Sequence, residues 1–324
     1  MTRLQLLQEK QPIVYNILNN ALNANKLAHA YLFGGVKGSL QDEVALLLVQ
    51  SLFCEESAWA CGECPICKRL ENNVYPDMIV LDGSVSSIKK ADVLDLQQRF
   101  SMTSLEKYVY KIFIIKDAHN MTSGAANSLL KFLEEPTPNV LGVLISDEIE
   151  AILPTVISRC QVINFRQLSY LDNLELAKAN NIDDLNAYYY AKVVSNHLSL
   201  NDFMESEAFQ IFTLTFENFV NLFDTKPDLA LYKIHSILIN NKDKDLVNMA
   251  YALFIDMVIV FFGDVIIPSP KANVWYDESV LRYRNNVNYS AILHVVLESK
   301  SQLGRSVNLA LAVDQMFYNL KEVM

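Results

Sequence analysis

Positive charge is what this sequence is short of. Over 324 residues, 27 Lys and Arg stand against 37 Asp and Glu, a formal net charge of −10. A protein that holds DNA by blanket neutralisation of phosphates needs clustered Lys and Arg that release counterions. The deficit excludes that class, so any DNA contact has to be local or shared with partners. A secretory pattern is missing too: MTRLQLLQEKQPIVYNILNN is mixed polar and apolar, with no small-residue cleavage site. Nor is there a clean membrane-length run. Met249 to Ile267 comes nearest, but it carries Asp256 and Asp264. Each is expensive in hydrocarbon, so the stretch reads as a buried helix of an α-helical domain and no membrane partner is expected. No internal repeat or low-complexity tract stands out. The missing signal, together with closely spaced cysteines, points to the cytoplasm.

What is present describes a folded chain: 51% hydrophobic and 20% charged residues fit a globular protein, and the length is too great for one typical core, which implies two or three domains. Residues 108–165 organise the rest. Tyr110 and Ile112 to Ile115 form a short apolar run that reads as a buried strand. Thr122 then offers an N-cap, and Ala125, Ala126, Leu129, Leu130, Phe132 and Leu133 recur at helical spacing until Pro136 stops them. Val140 to Ile145 is a second strand, so strand, helix and strand imply a crossover in a parallel sheet. Further apolar runs at 30–33, 78–81 and 162–165 bring the expected sheet to five strands, mainly parallel. A strongly apolar helix is expected from about Glu43 to Phe53, another after Ser87, and helix broken near Pro12 over residues 4–23. Beyond Phe165 no βαβ unit is evident, and the chain becomes helical.

Four of the five cysteines crowd into one segment, Cys54-x6-Cys61-Gly-Glu-Cys64-Pro-Ile-Cys67. Two consecutive Cys-x-x-Cys steps suit a tetrahedral zinc–sulfur site, because two intervening residues let a tight turn aim both sulfurs at one metal. An iron–sulfur cluster, a redox pair and free thiols are the alternatives, although ferredoxin-type runs place their fourth ligand differently. Four protein ligands would leave no open position for a catalytic water, so such a metal is structural. The fifth, Cys160, has no base near it in sequence and reads as a small buried side chain. His29 and His119 read as structural histidines with no acid or metal ligand beside them. Tyr188, Tyr189 and Tyr190 lack interleaved Lys or Arg and read as packing residues, not a base-stacking platform.

The string AANSLLKFLEEP, followed by a strand and then Ser158-Arg159-Cys160, resembles the clamp-loader branch of the AAA+ superfamily, above all the delta-prime type of bacterial DNA polymerase III subunit. The resemblance implies an α/β plus all-α chain. Residues 1–166 would form an AAA+ (RecA-like) domain with a five-stranded parallel sheet and the zinc module at 54–67, residues 167–205 a small helical lid, and residues 206–324 a helical oligomerisation collar. It implies that Arg159, within the Ser158-Arg159-Cys160 motif, is an arginine finger acting in trans on the ATP of a neighbouring subunit. It also implies gamma/tau-type ATPase and delta subunits as partners, with sliding clamp and primer–template DNA met through the complex.

In the ATPase relatives, HAYLF leads into a phosphate loop, Gly-x-x-x-x-Gly-Lys-Ser/Thr, whose amides and lysine hold the phosphates and whose hydroxyl holds magnesium. With Gly35 on the first glycine and Gly38 inside the loop, Leu40 falls on the second glycine, Gln41 on the lysine and Asp42 on the hydroxyl. After the strand at 112–115, Lys116 stands where the magnesium-binding Asp belongs and Asp117 where the catalytic Glu does. The cation is lost from the loop, negative charge enters at the helix N-terminus, and a cation replaces the metal ligand. The expectation is an ATPase fold without ATP binding or hydrolysis. Two alternatives remain at this level: an ATP-binding subunit of the gamma/tau type, and a zinc-dependent nucleic-acid-binding protein.

Overall fold

A computed structural model describes residues 2–84, 86–101, 110–134, 139–198, 200–238, 241, 243–267, 272–284, 288–302 and 308–323. Pro136 and part of the NNKDKD stretch near residue 240 lie outside the described residues. The chain divides into two compact units, Met1–Leu168 and Ser169–Met324.

The first unit opens with α1 (Arg3–Lys10) and α2 (Pro12–Asn23). Pro12 begins the second helix, where its missing N–H costs nothing. The sheet strands are β1 (Ala30–Gly34), β2 (Met78–Asp82), β3 (Lys111–Lys116), β4 (Val140–Ser146) and β5 (Gln161–Asn164); they lie in the order β2-β3-β4-β1-β5. All four pairings are parallel, as expected for an AAA+ domain. Central strands of such a sheet are covered on both faces, which is why β1 is buried at every position and β3 at its four middle ones. Helices α3 (Gln41–Phe53), α4 (Pro65–Glu71), α5 (Lys90–Ser101), α6 (Ser123–Glu134) and α7 (Pro154–Ile157) complete the unit. Phe113 and Ile115 join Leu32 and Leu144 in one cluster with α5 and α6, while α3 packs against β3 and β4. Thr122 Oγ1 accepts from the Ala125 amide at 3.2 Å, as its N-cap reading requires. Boundaries moved slightly: α3 begins two residues before Glu43, and β5 is shifted one residue toward the N-terminus.

The second unit is all helix among the described residues: α8 (Tyr170–Ala179), α9 (Asp184–Lys192), α10 (Leu200–Phe203), α11 (Glu207–Leu222), α12 (Pro227–Leu238), α13 (Lys244–Ile266), α14 (Val274–Tyr283), α15 (Tyr289–Gln302) and α16 (Leu309–Val323). Ser169 starts it with a capping box to Asp172. Tyr188, Tyr189 and Tyr190 are at most 1% exposed and share one core with Phe212, Phe216, Phe254 and Phe317. Helix α13, with a mean hydropathy of 2.1 over its most apolar window, is long and apolar enough to cross a membrane, yet 61% of that window is buried inside the fold. Asp256 and Asp264, the acids within its apolar stretch, are satisfied there. Asp256 takes a hydrogen bond from His197 Nε2 at 3.1 Å and pairs with Lys300 at 2.5 Å. Asp264 accepts from the Tyr188 and Tyr276 hydroxyls.

Candidate functional site

In a parallel sheet, ligands bind beyond the carboxyl ends of the strands. The register puts Gly34 opposite Ser146 and Asn164, and Asp82 opposite Lys116, so the loop after β1, the end of β3 and the end of β4 share one edge. The loop after β1 is sharply turned, with positive φ at Gly35, Gly38 and Leu40. Gly35 has φ +149, and a Cβ there would lie 2.8 Å from the Phe165 carbonyl, so only glycine fits. Leu40, at the second glycine position, adopts φ 73 with its side chain buried. A left-handed leucine costs roughly 1 kcal/mol or more, and here burial holds it.

The chemistry at this edge is internal. Gln41 Nε2 donates to the carbonyls of Gly35 at 2.6 Å and Val36 at 3.0 Å, folding the loop onto its own side chain. Lys116 Nζ lies 2.8 Å from Asp42, and Lys37 Nζ 3.6 Å from Asp117. Half-buried Glu43, one residue into the helix beyond Asp42, is pushed up to about 7 by burial first and the Asp42 charge second. Asp117, His119 and Asp147 bring their ligand atoms within 4.8 Å of one another. His119 Nδ1 sits 3.2 Å from Asp147 and 3.3 Å from Ser146 Oγ. This corrects the reading of His119 as a histidine without an acid beside it: Asp147 comes from the end of another strand, a juxtaposition that no sequence spacing carries.

Arg159 lies at the opposite edge. β5 starts at Gln161, opposite Tyr31 near the start of β1, so about 13 Å of sheet, four strand residues at ~3.3 Å each, separates Arg159 from the loop after Gly34. Its guanidinium is one-third exposed. Nη1 donates to the Thr155 carbonyl at 2.8 Å and to Ser158 Oγ at 3.3 Å, while Nη2 meets Glu134 Oε1 at 2.5 Å. Ser158 Oγ donates back to the Thr155 carbonyl at 3.0 Å. The neighbouring Cys160 thiol is pushed up to about 12 by burial, which leaves it protonated and inert.

The four clustered cysteines are brought together by local structure. Cys54 caps α3, Cys64 caps α4 with Pro65 behind it, and Cys67 lies buried in the first turn of α4. Gly62 supplies φ +76 for the turn between Cys61 and Cys64. The Cys61 amide donates to Cys54 Sγ at 3.4 Å and the Cys64 amide to Cys61 Sγ at 3.3 Å. Amides from Cys64 and Glu63 hold the exposed Cys61 thiol down at about 7, while burial pushes Cys67 up. All four sulfurs lie within 4.8 Å of one another. Sulfurs ~2.3 Å from a central zinc in a tetrahedron are about 3.8 Å apart, so the set fits one metal ion. Gln50 Nε2 to the Cys67 carbonyl at 2.8 Å and Trp59 Nε1 to Asn19 at 3.0 Å tie the module to α3 and α2.

The family model described as DNA polymerase III, delta subunit, matches residues 10–169. The match covers just under half of the chain. The delta-prime subunit of DNA polymerase III from Bacillus subtilis is 45% identical over 163 residues, half of this chain and 49% of that protein. The tau subunit of the same organism is 32% identical over 161 residues, 49% of this chain and 28% of tau. The match thus spans about half the length of the first relative and less of the second. Among solved structures, a gamma-subunit-related protein of DNA polymerase III from Thermotoga maritima aligns with 94% of this chain and 99% of its own, at 18% identity and a TM-score of 0.46.

Within the matched residues, Gly35, Gly38, Leu40, Gln41, Asp42, Lys116 and Asp117 gather at one sheet edge; Ser158, Arg159 and Cys160 gather at the other; and Cys54, Cys61, Cys64 and Cys67 converge in a separate module. Sequence reasoning missed Glu134, which it quoted only as part of a motif, and it assigned no role to Asp147. Both are significant through contacts made at the ends of different strands and helices.

Proposed function

We propose that this chain is a non-hydrolysing, delta-prime-like subunit of a cytoplasmic DNA polymerase III clamp loader, presenting Arg159 to ATP bound by a neighbouring subunit. The observation that carries the reading is the division of the sheet. The edge that should hold nucleotide is occupied by Gln41, Asp42, Lys116 and Lys37, while the exposed Arg159 stands at the other edge, too far away to serve that loop. A guanidinium so placed acts outward, stabilising charge on a phosphoryl group as it transfers. Fingers supplied in trans accelerate turnover by about 10³ to 10⁵.

The same reading assigns zinc to Cys54, Cys61, Cys64 and Cys67, where a closed set of thiolates makes the metal a structural clamp. It assigns gamma/tau-type ATPase and delta subunits as partners, with sliding clamp and primer–template DNA reached through the assembly. The second unit would supply a lid to about residue 205 and an oligomerising collar beyond it, a division supported by the shift from short helices to longer ones.

A second reading, an ATP-binding subunit of the gamma/tau type, is favoured by the similarity to tau. Titrating the zinc-loaded chain with a fluorescent ATP analogue and magnesium, beside an active ATPase subunit as positive control, separates the two. No saturable binding up to millimolar nucleotide is the expected result. Tight, magnesium-dependent binding would refute the reading that Gln41, Asp42 and Lys116 close the site.

A further inference from the structure

The motif AANSLLKFLEEP contains a carboxylate that the functional reading leaves unused. We infer that Glu134 is the positioning residue for Arg159, holding its guanidinium ready for the triphosphate of the neighbouring subunit; the inference rests on the proposal that Arg159 acts in trans. Glu134 is the last residue of α6 and Arg159 lies between α7 and β5, so the two meet only because both elements end at the edge where the strands begin.

The contact is directional. Glu134 Oε1 takes Nη2 at 2.5 Å, and on the other side the Thr155 carbonyl and Ser158 Oγ take Nη1 at 2.8 and 3.3 Å. Gripped at both terminal nitrogens, the planar group cannot swing freely. Among the described residues Nε has no partner, which leaves that N–H to meet an anion. The side chains of Arg159 and Glu134 are 32% and 49% exposed, so the pair is screened by water and its two partners are only weakly bound to each other. A deeply buried partner would trap the arginine. An exposed one restricts its rotamers and still lets a doubly charged phosphoryl group compete. The benefit to turnover is therefore preorganisation of a group that acts in the transition state, which appears in kcat and leaves ground-state affinity for ATP nearly unchanged.

The test uses the complete clamp-loader complex with clamp and primer–template DNA, assembled so that only the ATPase subunit facing this chain can turn over ATP. Glu134→Ala should lower kcat roughly three- to tenfold, the loss of one exposed charged contact plus its orienting effect. KM for ATP should stay within about twofold. Glu134→Gln, which keeps the acceptor oxygen, should recover most of the loss, and the melting temperature of both variants should match the parent because the pair is exposed. Arg159→Ala is the reference and should lose about a thousandfold. A large loss in Arg159→Ala with unchanged kcat in Glu134→Ala would overturn the positioning role and leave the finger intact. A fall in KM at constant kcat would overturn it as well, by showing Glu134 to be a mere competitor of phosphate. No loss in Arg159→Ala would overturn the trans-acting finger, and the role of Glu134 with it.

Discussion

Glu43 makes the sheet edge beyond β1 and β3 measurable in the isolated chain. Its carboxyl is held at about 7 against an ordinary 4.5, through burial and the Asp42 charge, with Lys116 pulling the other way. The native state therefore binds this proton more tightly than the unfolded chain does. Between about pH 4.5 and 7 the folded form carries the larger share of protons, so stability from this group is present at the acid end and is lost as pH rises through the native value. At ~1.4 kcal/mol per tenfold difference in proton affinity the full effect is about 3 kcal/mol, and partial exposure reduces it to roughly 1.5–3 kcal/mol. Glu43→Gln removes the titration and keeps the shape. Near pH 8 the variant should be more stable than the parent by that amount, which for a unit of this size is about 3–10 °C in melting temperature. Near pH 4.5 the two should melt together. Scanning calorimetry of both proteins across that range reads the difference directly. A difference that does not change with pH would refute the assignment of a raised Glu43.

Two further outcomes follow from the geometry. Cys67→Ser removes the buried member of the sulfur cluster and should cut bound zinc from about one per chain to below about 0.1, with a melting temperature at least ~5 °C lower; metal analysis by mass spectrometry checks it, and iron with visible absorbance in the parent would refute a zinc site. In the second unit, Asp264 accepts from two buried tyrosine hydroxyls, so Asp264→Ala should cost about 2–5 kcal/mol by stranding both donors, and Asp264→Asn, which can still accept, about half as much. Denaturant unfolding checks the pair, and equal losses in the two variants would refute the hydrogen-bond account.

Much of the first unit was legible because its determinants are local. The strands of the parallel sheet are buried on both faces and read as unbroken apolar runs, and β1, β3 and β4 appear where Ala30 to Phe33, Ile112 to Ile115 and Val140 to Ile145 placed them. The cysteine cluster was legible because spacing within a few residues is geometry. Leu40, set on the second glycine of a phosphate loop by the sequence reading, adopts a left-handed conformation without being glycine. The second unit was legible only as helix, since apolar stripes state that a face is buried and not what buries it.

By itself the sequence determined which segments become strands and helices and where four thiols could converge. Local spacing and residue chemistry suffice for those conclusions. Tertiary structure alone decided the rest. It put Gln41 onto the carbonyls of its own loop, paired Lys116 with Asp42, set Asp147 beside His119, and joined Glu134 to Arg159 across 25 residues of chain. It also carried Arg159 to the edge of the sheet opposite the loop it superficially accompanies. The physical reason is that a parallel sheet gathers strand ends by register and not by sequence distance, so partners at either edge are chosen by the fold.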